Sequence, residues 1–329
     1  MRKAVLIYNP HSGLATKKRK KQMAEFTKYS DLFHKYGYQL ETYKTKYHGH
    51  AREIVKNLPD DIDLVVSIGG DGTFNEAMTG NFERKKRILI SHLPYGTTND
   101  IGMMYGMGKN PYRNLDMILS GVVVNTDICL LNDHPFIYVA GFGKFMNIAY
   151  ETSRKMKKKI GKLAYFILGA KDFFRKKTPS YEITYEINGE KYHGLYTFAL
   201  ISNATRIAGI NNFYKNIKLN DSEFEVLFSN LQTKKDIVRS LIYLKTNDIT
   251  KVPGFYFHRT DHITITFHEK LKKPWCLDGE EYDTTAHRFE IRVVKNVRLL
   301  LPKKAIDKLF VTGGEMDELS TGDGEDHRE

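Results

Sequence analysis

The first third of the chain is punctuated by short strand-like runs that stop at glycine, proline, asparagine or threonine. Ala4–Tyr8 ends at Asn9-Pro10, Tyr38–Tyr43 leads to Thr45, Asp63–Ile68 ends at Gly69-Gly70, and Ile88–His92 leads into Pro94-Tyr95-Gly96. Runs of this length bounded by turn residues predict strands over 4–8, 38–43, 63–68 and 88–92. The stretches between and after them predict helices over 16–35, 49–57, 73–80 and 112–120, with Gly37 separating the first helix from the strand that follows. Alternation of strand and helix predicts a parallel sheet with helices on its faces.

From about residue 122 the texture changes. Segments of β character recur over 122–131, 134–141, 181–187, 190–201, 223–229, 262–268 and 287–294, and only 145–175 and 233–247 read as helical. Asn188-Gly189 between two of these runs is a strong hairpin signal. The chain therefore reads as α/β, with an N-terminal doubly wound, mostly parallel sheet domain and a C-terminal antiparallel β-sandwich domain. No internal repeat is visible.

Composition adds bounds to this picture. A length of 329 residues accommodates two domains, and 41% hydrophobic residues is ordinary for a globular protein. No apolar run is long enough to span a bilayer. Met1–Ile7 begins with charges and then a short apolar run, but Asn9-Pro10-His11-Ser12 ends it too soon for a signal peptide, so a strand is expected there. Cys129 and Cys276 are the only cysteines, and two such thiols in a large chain point to a reducing, cytoplasmic compartment. The twelve histidines are scattered, with His48 and His50 the closest pair, and no spacing supports zinc.

The charge narrows the partners. Residues 313–329 hold seven acids and one base, a net of −6, so the rest of the chain carries +18 within a whole-chain charge of +12. This Gly-, Ser- and acid-rich tail is expected to be disordered. The positive remainder draws the chain to polyanions. Lys17-Lys18-Arg19-Lys20-Lys21, Arg154-Lys155-Met156-Lys157-Lys158-Lys159 and Arg175-Lys176-Lys177 are the densest basic runs, and the second is followed by the apolar stretch Ile160–Leu168. Basic residues beside an apolar helical stretch are the pattern of a peripheral contact with an anionic membrane surface. No recognisable nucleic-acid motif is present, so nucleic acid is not expected as a partner.

The strand ends carry the candidate chemistry. Gly69-Gly70-Asp71-Gly72-Thr73-Phe74-Asn75-Glu76 removes side chains where backbone must approach something closely, and leaves one carboxylate in the turn. A strand running through a Gly-rich turn into a helix start holds phosphates on backbone N–H groups. Leu93-Pro94-Tyr95-Gly96-Thr97-Thr98-Asn99-Asp100 and Asn9-Pro10-His11-Ser12-Gly13 repeat the theme at two further strand ends. In an open parallel sheet, ligands sit in the crevice beyond such ends. Each turn alone also reads as punctuation, and Thr73 with Glu76 also fits a helix capping box.

With these motifs the chain resembles the diacylglycerol kinase catalytic domain, the family of bacterial lipid kinases related to sphingosine and ceramide kinases. Asn9-Pro10-x-Ser12-Gly13, Gly69-Gly70-Asp71-Gly72-Thr73 and Pro94-x-Gly96-Thr97-x-Asn99-Asp100 carry the resemblance, with Thr45 and His50-Ala51 between them. Further along it rests on Ser202-Asn203, Lys218-Leu219-Asn220-Asp221 and Leu277-Asp278-Gly279-Glu280. It implies a nucleotide-binding domain over 1–125 to which residues 296–312 return, a lipid-substrate domain over 126–295, and the acidic tail over 313–329. It also implies transfer of the γ-phosphate of ATP to a lipid hydroxyl, with Mg²⁺, and members are often dimers.

Residue by residue, the resemblance assigns Asn9, Pro10, Ser12, Gly13, Thr45, Gly70, Asp71, Gly72, Thr73, Asn75, Glu76 and Thr97 to the nucleotide. Asp71 is expected to organise the catalytic Mg²⁺, since magnesium takes one or two carboxylates plus phosphate oxygens and waters. Asp100 is the candidate partner, directly or through water. Glu280 is the candidate general base, with burial or the charges of Asp71 and Asp100 raising its pKa; Asp-Gly-Glu by itself reads as a hairpin turn. A second, structural Mg²⁺ would use the backbone carbonyls of Lys218 and Glu223 and the carboxylate of Asp221. Here Ser222 stands where the family has Gly and Asn220 replaces a common Asp, and glycine tolerates positive φ where serine does not.

Two other classes compete. An NAD kinase shares Gly-Gly-Asp-Gly-Thr and a β-rich second half but acts on a soluble nucleotide; a basic lipid- or nucleotide-binding protein without turnover would not need Asp71, Asp100 and Glu280. Diacylglycerol is the default acceptor by resemblance, with ceramide, sphingosine, undecaprenol and phosphatidylglycerol open.

Overall fold

The computed structural model describes residues 1–10, 28–96, 99–143, 180–207, 210–231, 233, 235–236, 249–271, 274–282 and 285–311. The three basic runs, the acidic tail, the expected helix over 145–175, most of that over 233–247, and the site candidates Ser12, Gly13 and Thr97 lie outside the described residues.

The first lobe forms as the sequence predicts. Strands β1 (Arg2–Tyr8), β2 (Tyr38–Lys44), β3 (Leu64–Gly69) and β4 (Leu89–Pro94) pair in parallel in the order β2-β1-β3-β4. Every residue of β3 is buried except where it opens into Gly70, as a central parallel strand covered on both faces requires. Residues 28–35 are helical and stop at Tyr36-Gly37, where Gly37 takes φ 76. Helices His50–Lys56, Asp71–Phe82, Asp100–Met104 and Pro111–Leu119 follow. The short helix at Asp100 is absent from the sequence reading.

The second lobe continues the same sheet. Strands β5 (Val122–Leu131), β6 (His134–Phe136), β7 (Val139–Gly143), β8 (Tyr181–Ile187), β9 (Glu190–Tyr196), β10 (Phe198–Ser202), β11 (Arg206–Ile207), β12 (Ile210–Asn211), β13 (Phe224–Ser229), β14 (Phe255–Thr260), β15 (His262–Phe267), β16 (Trp275–Leu277), β17 (Glu280–Tyr282) and β18 (Arg288–Leu301) make it up. The large sheet runs β2-β1-β3-β4-β18-β15-β8-β9, with β5 also on β18; a separate antiparallel sheet runs β14-β13-β10-β7-β16-β17. The two pack face to face around Phe142, Tyr185, Phe228, Trp275, Phe289 and their neighbours. Strand β8 shows why: its buried and exposed residues alternate along Tyr181–Ile187, giving one face to this core.

Several boundaries differ from the sequence reading. The expected run over 190–201 divides at Thr197, because β9 and β10 belong to different sheets. The expected 134–141 divides into β6 and β7 for the same reason. The expected strand over 287–294 and the start of the expected return over 296–312 are joined in one strand, Arg288–Leu301. β18 pairs antiparallel with β15 and β5, then parallel with β4 at Leu299↔Ile90, and shifts register between Val294 and Val297 with Asn296 at φ 59. Such a bulge bends a strand enough to pass from one lobe to the other.

Candidate active site

The turns after the four parallel strands lie side by side at one edge of the sheet. Asn9 N donates to Ile68 O at 3.1 Å, Thr45 N to Tyr8 O at 2.9 Å, and Tyr95 N to Gly69 O at 2.6 Å. Chain order reverses at β1, which has β2 on one side and β3 on the other, so the crevice expected at a switch point falls among these turns. The turns after β3 and β4 are in direct contact. A Cβ on Gly96 would lie 2.6 Å from Gly70 Cα and 2.7 Å from Asn99 Oδ1, so only glycine fits. Asn99, at φ 51, closes its own turn: its Oδ1 accepts from Gly96 N at 2.6 Å and its Nδ2 donates to Gly96 O at 3.1 Å.

Helix Asp71–Phe82 starts in this crevice. Its N-cap is Gly70, with extended backbone and no capping side chain. A helix start leaves N–H groups without intrahelical acceptors and carries the positive end of the dipole. Thr73 is buried, and its side chain fills the space beside Gly69. Glu76 forms no capping box, because the helix begins ahead of Thr73; its Oε2 accepts from Ala51 N at 3.2 Å and so serves the start of helix His50–Lys56. Asn75 turns toward the second lobe, donating to Asp278 Oδ2 at 2.8 Å. Asn9 and Pro10 are half-buried and Thr45 is buried at the strand ends.

Asp71 is half-buried, and its two oxygens accept from Asp100 N at 3.0 Å and Ile101 N at 3.2 Å. Burial, and after it the charge of Asp100, push its carboxyl up to about 7 against the pull of those two N–H groups. A carboxylate has about four lone-pair sites, so these bonds leave Asp71 capacity for a cation. Among the described residues no cluster of three or more His, Cys, Asp or Glu side chains is arranged to hold a metal. A Mg²⁺ carried largely by phosphate oxygens and water, with one carboxylate, fits that donor set.

Asp100 is placed differently from the expectation of a metal partner. It is buried, and its Oδ1 accepts from Arg206 Nε at 2.8 Å, with the two side chains 1% and 3% exposed. Arg206 comes from β11 of the second lobe and also donates to Asn211 Oδ1. The sequence reading passed over Arg206, as no local feature marks an isolated arginine.

Glu280 arrives from the far end of the chain. Leu277 and Glu280 are paired across a hairpin turned by Asp278 at φ 49 and Gly279 at φ 92, the signs a type I′ turn requires. The hairpin sets the Glu280 carboxylate against the glycine turn: a Cβ on Gly72 would meet Glu280 Oε1 at 2.9 Å. Glu280 is 53% exposed and its Oε2 lies 3.5 Å from His48 Nε2, so of the two expected influences on this carboxyl, burial and neighbouring acids, burial is not provided by the fold. Asp278 is the buried member of the pair. Its carboxylate accepts from Ile137 N at 2.6 Å, Tyr138 N and Val139 N at 3.0 Å, and Asn75 Nδ2 at 2.8 Å. Burial raises its carboxyl in spite of these donors. Tyr138, whose phenol burial and the charges of Asp71, Asp278 and Asp100 hold well above the ordinary value, completes this side of the cleft.

At the remaining predicted site, Asp221, Glu223 and Lys218 are drawn into protein contacts. Arg259 Nη2 pairs with Asp221 Oδ2 and lies 3.3 Å from Glu223 Oε2. Lys218 Nζ donates to the carbonyls of Asp307, Lys308 and Phe310 at the end of the C-terminal helix. Ser222 adopts φ 69, the conformation expected to need glycine, and its N–H donates to Asp127 Oδ2 at 2.7 Å.

A parallel sheet whose strand ends gather glycine turns, a helix start and a half-buried carboxylate, met by a second carboxylate from a β-sandwich lobe, is the architecture of a two-lobed phosphate-handling α/β protein. Residues 3–131 match the family model of the diacylglycerol kinase catalytic domain. Over those residues, about two fifths of the chain, it is similar to that catalytic domain. A diacylglycerol kinase of Bacillus subtilis (strain 168) is 25% identical over 311 residues, covering 94% of this chain and 99% of its own length. One from Staphylococcus carnosus (strain TM300) is 27% identical over 280 residues, covering 85% and 89%. A solved structure of a diacylglycerol kinase from Bacillus anthracis str. Sterne superposes with a TM-score of 0.74 at 20% identity, over 93% of this chain and 99% of that one, and so shares the fold.

Proposed function

We propose that this protein is an ATP-dependent lipid kinase that transfers the γ-phosphate to a lipid hydroxyl, with diacylglycerol as acceptor and phosphatidic acid as product. The observation that carries the reading is the meeting of Glu280 with Gly72, which brings a carboxylate from the second lobe onto the glycine turn next to Asp71. The names of the relatives in Bacillus subtilis and the two Staphylococcus species, diacylglycerol kinases, support the acceptor class.

The residues divide the work as phosphoryl transfer requires, by positioning and charge. Backbone N–H groups at the Gly70–Thr73 helix start bind phosphate oxygens, and Asn9, Pro10, Ser12, Gly13, Thr45 and Thr97 border the same nucleotide crevice. Asp71 would hold a Mg²⁺, which when bound would offset charge on the transferred group. Asp100 positions Asp71 through its backbone N–H. Glu280 accepts the proton of the acceptor hydroxyl, and Asp278 fixes the hairpin that aims it. The β-sandwich lobe presents the lipid. The surplus of positive charge holds the protein peripherally at an anionic, cytoplasmic membrane surface, and no helix among the described residues is long and apolar enough to cross one.

The test is transfer of radiolabelled phosphate from ATP with Mg²⁺ to a panel of lipids in anionic vesicles, with NAD as the soluble competitor. Diacylglycerol is expected to be labelled, and labelling to fall as salt screens the basic surface. Labelling of NAD alone, or no transfer to any lipid, would overturn the proposal.

A further inference from the structure

A turn and strand of the second lobe concentrate acid around a single guanidinium. Asp221 and Glu223 lie on the turn that leads into β13, Glu225 lies on β13, and Arg259 sits directly across from Glu225 on β14. Arg259 Nη2 pairs with Asp221 Oδ2 and lies 3.3 Å from Glu223 Oε2, while its Nε lies 3.4 Å from Glu225 Oε1. Asp127, on β5, contributes a fourth carboxylate that holds Ser222 N at 2.7 Å. The family resemblance puts a structural Mg²⁺ at this turn, so the donor set decides whether one fits.

It does not fit. The carboxylate of Asp221, the only side-chain ligand expected, differs from that of Asp71 in being paired with a fixed positive charge: Arg259 is bonded to Oδ2, while the Glu223 N–H reaches Oδ1 at 3.4 Å. Asn220, in place of the common Asp, is spent on the backbone of Val311, accepting from its N–H at 2.7 Å and donating to its carbonyl at 3.4 Å. A divalent ion at Asp221 would have to displace a guanidinium that also lies 3.3 Å from Glu223 Oε2, or share the carboxylate with its positive charge. An arginine offers a fixed fork of donors that spans several carboxylates at once, which neither a point-charge lysine nor a neutral side chain reproduces.

We propose that the Arg259 guanidinium is the resident cation of this turn, so that the junction it braces needs no bound metal. The junction matters to the whole molecule. Leu219 N donates to Leu309 O at 2.8 Å, and Asp127 N donates to Leu219 O at 2.7 Å, so the same turn ties β5 to the C-terminal helix Ile306–Leu309. Ile306 and Leu309 pack in the core of the first lobe. The inference concerns stability alone and stands apart from the kinase reading.

The test is the melting temperature of the nucleotide-free full chain in EDTA and in millimolar MgCl₂, for the wild type and for Arg259→Gln and Arg259→Lys. The wild type is expected to melt within about 1 °C in the two conditions, since a ligand that binds the folded state would raise Tm. Arg259→Gln is expected to melt lower by at least about 4 °C, and Arg259→Lys to fall between, as the network loses its bridging donor. A wild type stabilised by several degrees in millimolar MgCl₂ over EDTA would overturn the proposal. So would an Arg259→Gln variant with the wild-type melting temperature. If Arg259→Gln does not fold, the lysine variant and the wild-type metal response decide.

Discussion

Replacing Arg206 with methionine tests the tie between the lobes at its most sensitive point. Arg206 and Asp100 are 3% and 1% exposed and bonded at 2.8 Å. Methionine keeps most of the volume and removes the charge, which leaves the Asp100 carboxylate buried without its guanidinium. Breaking a buried pair from one side costs about 3–5 kcal/mol. At about 2 °C per kcal/mol for a chain of this size, the melting temperature should fall by about 6–10 °C. Asp100→Asn alone should cost a similar amount, since it strands the arginine instead. The double variant should be more stable than the sum of the two losses predicts, with a coupling of about 2 kcal/mol, because it removes both charges together. Scanning calorimetry of the nucleotide-free protein gives all three values. Function follows the same bond: Asp100 supplies the backbone N–H that holds Asp71, so Arg206→Met should weaken binding of a fluorescent ATP analogue with Mg²⁺. A shift in melting temperature below about 1 °C for Arg206→Met, or strictly additive losses in the double variant, would refute the claim that this pair joins the lobes.

Other expectations follow from single contacts. Glu280→Gln should lower kcat by about 10²–10⁴-fold with an unchanged melting temperature, because the side chain is 53% exposed; wild-type turnover in a lipid phosphorylation assay would remove Glu280 as the base. Gly96→Ala puts a methyl group 2.6 Å from Gly70 Cα and must part the two turns, so nucleotide affinity measured by titration should fall at least tenfold, and unchanged affinity would show that the turns do not act together. Glu225 sets a pH dependence. Burial on β13 pushes its carboxyl up to about 8, against the pull of Arg259, whereas in the unfolded chain it ionises at its ordinary value of 4.5. The folded state therefore holds a proton that the unfolded state has lost across this window, and the stabilisation present at low pH disappears as pH rises toward 8. The melting temperature should decline between pH 5 and 8 less steeply in Glu225→Gln than in the wild type; identical slopes would rule out this carboxyl as the source.

How much of this was legible in the sequence depends on distance along the chain. The four parallel strands and their turns are local facts: a run such as Asp63–Ile68 and the glycines that stop it sit within a few residues, and β3 appears as Leu64–Gly69. The Asn188-Gly189 hairpin is equally local, with φ values of 51 and 79. The missed strand β14 reads Phe-Tyr-Phe-His-Arg-Thr, and only Thr260 of it is fully buried, so no alternation announces it. The undivided run over 190–201 conceals a change of sheet, because β9 and β10 are each good strands and only the identity of their partners separates them. Arg206 is 106 residues from Asp100, and Asn75 is 203 residues from Asp278; such pairings follow from the completed topology rather than from residue type. Ser222 breaks a sound local rule. Its positive φ is held by the Asp127 carboxylate on its N–H, a long-range bond outweighing a backbone preference of about 1 kcal/mol.

The pattern of these ties explains how two lobes make one site. The first lobe can build its glycine turns alone, since the bonds Asn9–Ile68, Thr45–Tyr8, Tyr95–Gly69 and Gly96–Asn99 lie within it. The proposed base, Glu280, comes from the second lobe, and such a group is useful only if it is held to within about half an ångström. Three bonded links meet that demand. β18 runs through both lobes as one strand, Arg206 anchors β11 to the helix start at Asp100, and Asp278 is bonded to Asn75 one turn along the helix that begins at Asp71. The last is the most direct: Asp278 and Glu280 share a hairpin, and Asn75 and Gly72 share a helix turn, so this bond also sets Glu280, the proposed base, against the glycine turn. Loosening that link should therefore cost turnover before it costs stability, whereas loosening Arg206 should cost both.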